Sequence, residues 1–200
     1  MLRALCALAV VITLCGCTST RLTTVWKAPD APEKIEFSSV VVACLFPDET
    51  ARRAAEDQLV ARIGPQRATP SYQLLSLEDA QDPDVVRRRL ADAGFDGALV
   101  MRVISVDKEQ TWTPGAPGRP IYYDSFHSYY GYGWSTASSY GRWETDTIVQ
   151  IETILYDFDD DARMIWGARS ETFNPSSVSQ TVEEIANAIR DRLRQDGLIE

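Results

Sequence analysis

The order of apolar patterns in this sequence predicts an α/β domain, bordering on α+β, built on one mixed sheet with helices packed against it. Three observations carry that expectation. Residues 37–46 (FSSVVVACLF) are a continuous apolar, β-branched run, the pattern of a strand buried on both faces. Two helix-period segments follow, each opened by an Asp and stopped by a Gly, with further apolar runs after each. The chain then closes on its clearest amphipathic pattern. The expected order is β-α-β-α-β, an aromatic-rich insertion at 109–144, then β-β-α.

The elements are justified in turn. After the first strand, Asp48 caps a helix with Glu49 in its positive first turn. Ala51, Ala55, Leu59 and Ile63 recur at helical spacing, Arg62 suits the last turn, and Gly64-Pro65 is the stop. Residues 71–76 (SYQLLS) read as a short second strand. The next helix has Asp82 as cap, Pro83 in its first position and Gly94 just past its end, with Val86, Leu90 and Ala93 facing inward. Residues 97–106 (GALVMRVISV) are apolar enough for a central strand. Short connections in this alternation imply right-handed crossovers and a partly parallel sheet.

Residues 145–157 and 164–173 read as an antiparallel hairpin joined at Asp159-Asp160-Asp161-Ala162. Val149, Ile151 and Leu155 share one face of its first strand; Met164, Trp166 and Ala168 form the inward face of its second. In the last helix Ser177 and Gln180 have capping-box spacing, and Val178, Val182, Ile185, Ile189 and Leu193 form one stripe. Arg190, Arg192 and Arg194 suit its negative end, and Gly197 terminates it.

The amino-terminal stretch sets location. Arg3 precedes an uncharged, mostly apolar run of 11 residues, 4–14, too short for the roughly 20 that a membrane-crossing helix needs. With Leu14-Cys15-Gly16-Cys17 behind it, the stretch resembles a bacterial lipoprotein signal peptide and its lipobox. That resemblance implies cleavage of residues 1–16, acyl chains such as palmitate on Cys17, and attachment to a membrane through them. Each buried methylene adds about 0.8 kcal/mol, so two or three chains anchor durably. Thr18 in place of Asp, by analogy with Gram-negative lipoproteins, points to the periplasmic side of the outer membrane. An ordinary secretory signal would instead leave Cys17 free. Residues 18–36, rich in Thr and broken by Pro29 and Pro32, read as a tether between Cys17 and a single domain at 37–200, with Trp26 as the exception.

The βαβα unit with Gly-Phe-Asp-Gly-Ala-Leu-Val at 94–100, the hairpin bearing Met-Ile-Trp and the last helix are similar in plan to small envelope lipoprotein domains. The penicillin-binding-protein activator lipoproteins, the curli-secretion lipoprotein and the amino-terminal domain of TolB share this plan, as do Gram-negative envelope lipoproteins of unknown function. The resemblance covers 37–195 and implies a fold; it carries over no functional residue.

Composition narrows the function classes. Without residues 1–16 the chain has 19 basic against 29 acidic residues, the wrong sign for nucleic acid. Of its 4 cysteines, the lipobox resemblance implies that Cys6 and Cys15 leave with the signal and that Cys17 is lipidated. Cys44, inside an apolar run, is expected to be a buried small hydrophobe.

Residues 109–144 concentrate aromatics: Trp112, Tyr122, Tyr123, Phe126, Tyr129, Tyr130, Tyr132, Trp134, Tyr140 and Trp143, interspersed with Gly and Ser. Rigid aromatic area beside adaptable small polar residues is the chemistry of a recognition loop, for a protein or for the flat faces of a glycan. A floppy excursion, or a strand extension whose aromatics pack on their own scaffold, is the competing reading.

The remaining motifs are weak. Asp157, Asp159 and Asp161 start like a calcium loop, but Ala162 and Ala168 stand where Gly and Glu belong, so a solvated turn is expected. His127 is the chain's only histidine and lacks partners for zinc or a triad. Arg52-Arg53 and Arg87-Arg88-Arg89 read as solvated helix faces. No cofactor, metal or catalytic residue is expected. The leading expectation is a non-enzymatic, lipid-anchored binding or assembly module for a cell-envelope partner. The alternative is a peptidoglycan or polysaccharide hydrolase using paired carboxylates.

Overall fold

The computed structural model describes residues 20–113, 125–137, 141–159 and 162–199. Its strands are β1 (Thr20–Lys27), β2 (Val40–Leu45), β3 (Ala68–Pro70), β4 (Gly97–Thr113), β5 (Arg142–Asp157) and β6 (Arg163–Phe173). Its helices are α1 (Glu49–Ile63), α2 (Pro83–Asp92), α3 (Phe126–Ala137) and α4 (Val178–Gln195). The strands form one mixed sheet in the order β1-β6-β5-β4-β2-β3. β2 runs parallel to β3 and β4, while the β4–β5, β5–β6 and β6–β1 pairs are antiparallel. This is the α/β class, with helices on a single mixed sheet, that the patterns predict.

Local chemistry sets the helix starts where the sequence places them. Asp48 accepts from the Ala51 amide at 2.6 Å, and Asp82 accepts from Asp84 and Val85 with Pro83 at the first position. Ser177 accepts from the Gln180 amide at 3.1 Å. The Gln180 side chain turns to Glu184 and Ser176, so the reciprocal half of the capping box does not form. Gly197, at φ 73°, ends α4 in the left-handed conformation that glycine adopts without penalty.

Helices α1 and α4 lie side by side. Arg62 of α1 pairs with Glu183 at 2.7 Å and donates to Asn187 at 2.8 Å, and Gln58 donates to the Ser179 carbonyl. Beneath them Val40, Val42, Cys44, Leu59, Met101, Leu155, Trp166, Val182, Ile185 and Ile189 form the core. Trp166 is fully enclosed, and its indole donates to Asp196 at the end of α4.

Several expectations are corrected. Residues 18–36 do not run as a tether throughout, because Thr20–Lys27 is an edge strand against β6. An edge strand pairs on one side only; TRLTTVWK supplies just Leu22 and Val25 to the core, too little for a visible period. Trp26, in that strand, is exposed. The strand expected at 71–76 lies instead at Ala68–Pro70, and Ser71–Gln73 is a 3-10 turn. Pro70 has no amide hydrogen to continue a ladder. Val86 and Leu90 of α2 are only half-buried and Ala93 is exposed. That helix is tied to a second 3-10 turn, Asp79–Gln81, through Arg89 and Asp79. Ile63 and Val178, at the ends of their stripes, are exposed as well.

Arg52 is the largest departure among the charged residues. It is buried, and its guanidinium donates to Glu56 at 3.2 Å. Glu56 has no exposed surface and also accepts from the Cys44 amide, the Ser71 hydroxyl and the Tyr72 amide. One carboxylate thereby ties β2, α1 and the segment after β3 together. Cys44 is buried beside it, as expected.

Candidate functional site

The aromatic-rich insertion is organised by its two flanking strands. Both extend well past the rest of the sheet: β2 leaves β4 at Arg102, and β6 leaves β5 at Ile148. Beyond the Asp107–Ile148 pair, out to the Thr113–Arg142 pair, β4 and β5 continue alone as a two-stranded ribbon. Six further steps on β4 correspond to about 20 Å of projection.

An isolated ribbon is marginal in water and needs cross-strand support. Three contacts supply it. Trp112 and Trp143 face each other across the strands with ring centroids 5.3 Å apart. Such a pair contributes about 0.5–1.5 kcal/mol beyond the area it buries. Glu144 accepts from Arg142 at 2.7 Å and from the Thr113 hydroxyl at 3.0 Å. The Arg142 contact, then the Thr113 one, holds the Glu144 carboxyl below the usual glutamate range. At the root, Asn174 clasps the ribbon: its amide donates to the Thr147 carbonyl, and its side chain binds the Thr147 amide and Asp146.

The connection between β4 and β5 carries α3. The Ser125 hydroxyl accepts from the Ser128 amide at its start. No residue of Phe126–Ala137 (FHSYYGYGWSTA) is formally charged, since its histidine counts as neutral. Phe126, Tyr130 and Trp134, spaced four apart, form a stripe with centroid separations of 5.5 and 6.3 Å. The stripe is not a core face: Phe126 is 71 % exposed, Trp134 65 %, Tyr129 62 % and Tyr130 55 %. Tyr132 is half-buried.

At the ribbon's root lies an apolar trench of about 350 Å³ between the sheet and the starts of α1 and α4, with Phe46, Val103, Val106, Val149, Pro175 and Val178 in its wall. Val106 and Val178 are about half exposed. Thr20 is close by in the ladder: it pairs with Thr172, Thr172 with Val149, and Val149 with Val106. The chain therefore enters the sheet at the end from which the ribbon leaves.

The structure thus brings Trp112 and Trp143 together on the ribbon and sets Tyr129, Tyr130 and Trp134 on one short helix. Tyr122, Tyr123 and Tyr140, and Cys17, the residue expected to be lipidated, lie outside the described residues. His127 is exposed, its ring edge against Phe126. Asp157 accepts from the Asp159 amide, while Asp160 and Asp161 lie outside the described residues. Among the described residues no group of three or more His, Cys, Asp or Glu could hold a metal ion. No helix among them is long and apolar enough to cross a membrane. Among the described residues, the Asp79 and Glu144 carboxyls are both held below their ordinary range. For Asp79 the cause is first the Ser76 amide and hydroxyl, then Arg89.

Neither the stripe through Phe126 nor the apolar trench is legible in the sequence. The helical spacing of Phe126, Tyr130 and Trp134 was the available signal; interspersed Gly131 and Gly133 masked it.

No family model matches the chain, and no curated protein matches it. Among solved structures it is similar to the PelC dodecamer from Paraburkholderia phytofirmans. One crystal form, of a point variant, aligns with a TM-score of 0.43 at 14% identity, covering 88% of this chain and 96% of that one. A second form gives 0.43 at 13% identity, covering 88% and 99%. It is also similar to the lipoprotein GNA1162 from Neisseria meningitidis, with a TM-score of 0.41 at 12% identity over 79% of this chain and 99% of that one. Likeness at this level says nothing of what the chain binds.

Proposed function

We propose that the chain is a lipid-anchored cell-envelope protein without catalytic activity, which captures an envelope protein or glycan through its aromatic ribbon and α3. The observation that carries this reading is the exposed stripe Phe126, Tyr130 and Trp134 on a helix that packs its aromatics against one another rather than into a core. Large exposed apolar area on a soluble fold marks an interaction surface. Tyr and Trp are favoured there because they present rigid, amphipathic area.

The anchor at Cys17 is read from Leu14-Cys15-Gly16-Cys17. Only Thr18 and Ser19 lie between Cys17 and Thr20, a reach of at most about 11 Å. Thr20 sits at the ribbon's root, so acyl chains on Cys17 hold that end of the sheet toward the membrane. The partner is accordingly met close to the bilayer, and the outer membrane is the bilayer that Thr18 favours.

Deleting residues 112–142 tests the reading. The shortened chain should keep its cooperative unfolding transition, since the core lies in the remainder of the sheet and in α1 and α4. It should no longer recover the partner that the full chain recovers from envelope extracts. Trp134→Ala with Tyr130→Ala should weaken recovery in the same direction. Undiminished recovery by the deletion would refute a role for the ribbon.

A further inference from the structure

At the opposite end of the sheet from the ribbon, a second cavity of about 360 Å³ opens between the sheet and the ends of α1 and α4. Its wall includes Leu99, Met101, Leu155, Ile189 and Leu193. Protein interiors rarely leave voids larger than a water molecule, and this volume falls within the range of small-ligand pockets. The strap before β2 closes one side: Ile35 donates to the Leu198 carbonyl at 2.8 Å, and the Phe37 ring lies across Gly97. A side-chain carbon at Gly97 would meet that ring at 2.8 Å, so glycine is what lets Phe37 form the wall.

The mouth is cationic although the chain is acidic overall. Arg62, Arg67 and Arg190 line it, and all three are exposed. Arg62 is engaged by Glu183, and Arg190 lies 3.8 Å from Asp191. Arg67, in the turn after α1, has no ion-pair partner among the described residues. An apolar chamber with an unpaired guanidinium at its entrance suits an amphiphile with one alkyl chain and one anionic head. The guanidinium fork matches a carboxylate in particular.

We propose that this cavity binds a long-chain fatty acid, its tail among Leu99, Met101, Leu155, Ile189 and Leu193 and its carboxylate on Arg67. The occupant is a free molecule rather than the chain's own acyl groups, because Thr20, the third residue after Cys17, lies at the end of β1 away from the cavity. The site is separate from the ribbon and stands or falls without it.

The test uses the purified full-length protein in phosphatidylcholine nanodiscs, irradiated with diazirine-bearing palmitate or with diazirine-bearing hexadecanol as the uncharged control. Palmitate label is expected on the β4 and α4 peptides that wall the cavity. Arg67→Glu should reduce it about tenfold, the scale of one charge-assisted contact, and leave hexadecanol labelling unchanged. Ala186→Trp, which fills the chamber, should abolish labelling by both probes; Leu99→Phe is the second filling variant should the first unfold. Equal labelling by the two probes, labelling that survives filling, or label confined to residues outside the cavity would overturn the proposal.

Discussion

Glu56 accepts from four donors with no surface exposed, and one of them is the equally buried Arg52. Removing one member of such a pair strands the other charge away from water. Glu56→Ala is therefore expected to lower the unfolding free energy by about 3–5 kcal/mol, read from denaturant midpoints. The same cluster governs Cys44. Burial first, and the Glu56 carboxylate second, push its thiol far above the ordinary cysteine range, with Arg52 opposing. Alkylation of Cys44, followed by peptide mapping, should be undetectable in the folded chain and complete once it is unfolded. Cys44 was legible in the sequence because its apolar neighbours define its surroundings. Arg52 was not, because its partner Ser71 comes from a segment whose path the sequence does not specify.

Among the elements, what was legible followed from local chemistry. Asp48, Asp82 and Ser177 mark helix starts through hydrogen bonds spanning only two or three residues. The edge strand β1 was hidden because β6, which gives it its hydrogen bonds, lies well over 100 residues away. The ribbon shows a third case. Its aromatics were visible, but Trp112 and Trp143 become partners only through the register of two long strands.

Glu144 supplies a pH test of that ribbon. Its pKa is depressed in the folded chain, so the stability it contributes is present above the unfolded value and lost as pH falls through the folded one. Acidification below about pH 4 should loosen the ribbon. The tryptophan emission of the full chain should shift over that interval, and Glu144→Gln should remove the shift.

At the scale of the molecule, the sheet has two unlike ends. The ribbon, the apolar trench and Thr20 share one; the Arg-rimmed cavity occupies the other. That division arises because β4 and β5 outrun their neighbours at one end only, while α1 and α4 finish near the other. Neither end was legible in the sequence, since each depends on which strands lie adjacent. On the proposed acylation of Cys17, the ribbon end would face the bilayer, and Phe126, Tyr130 and Trp134 would meet partners held at that surface.

Photo-crosslinking from position 134 in intact cells tests this arrangement most directly, with position 88 on exposed α2 as the reference site. A discrete adduct from position 134, absent from position 88 and lost with Cys17→Ser, is the expected result. The same adducts from both positions, or an adduct from 134 that persists undiminished in Cys17→Ser, would contradict it.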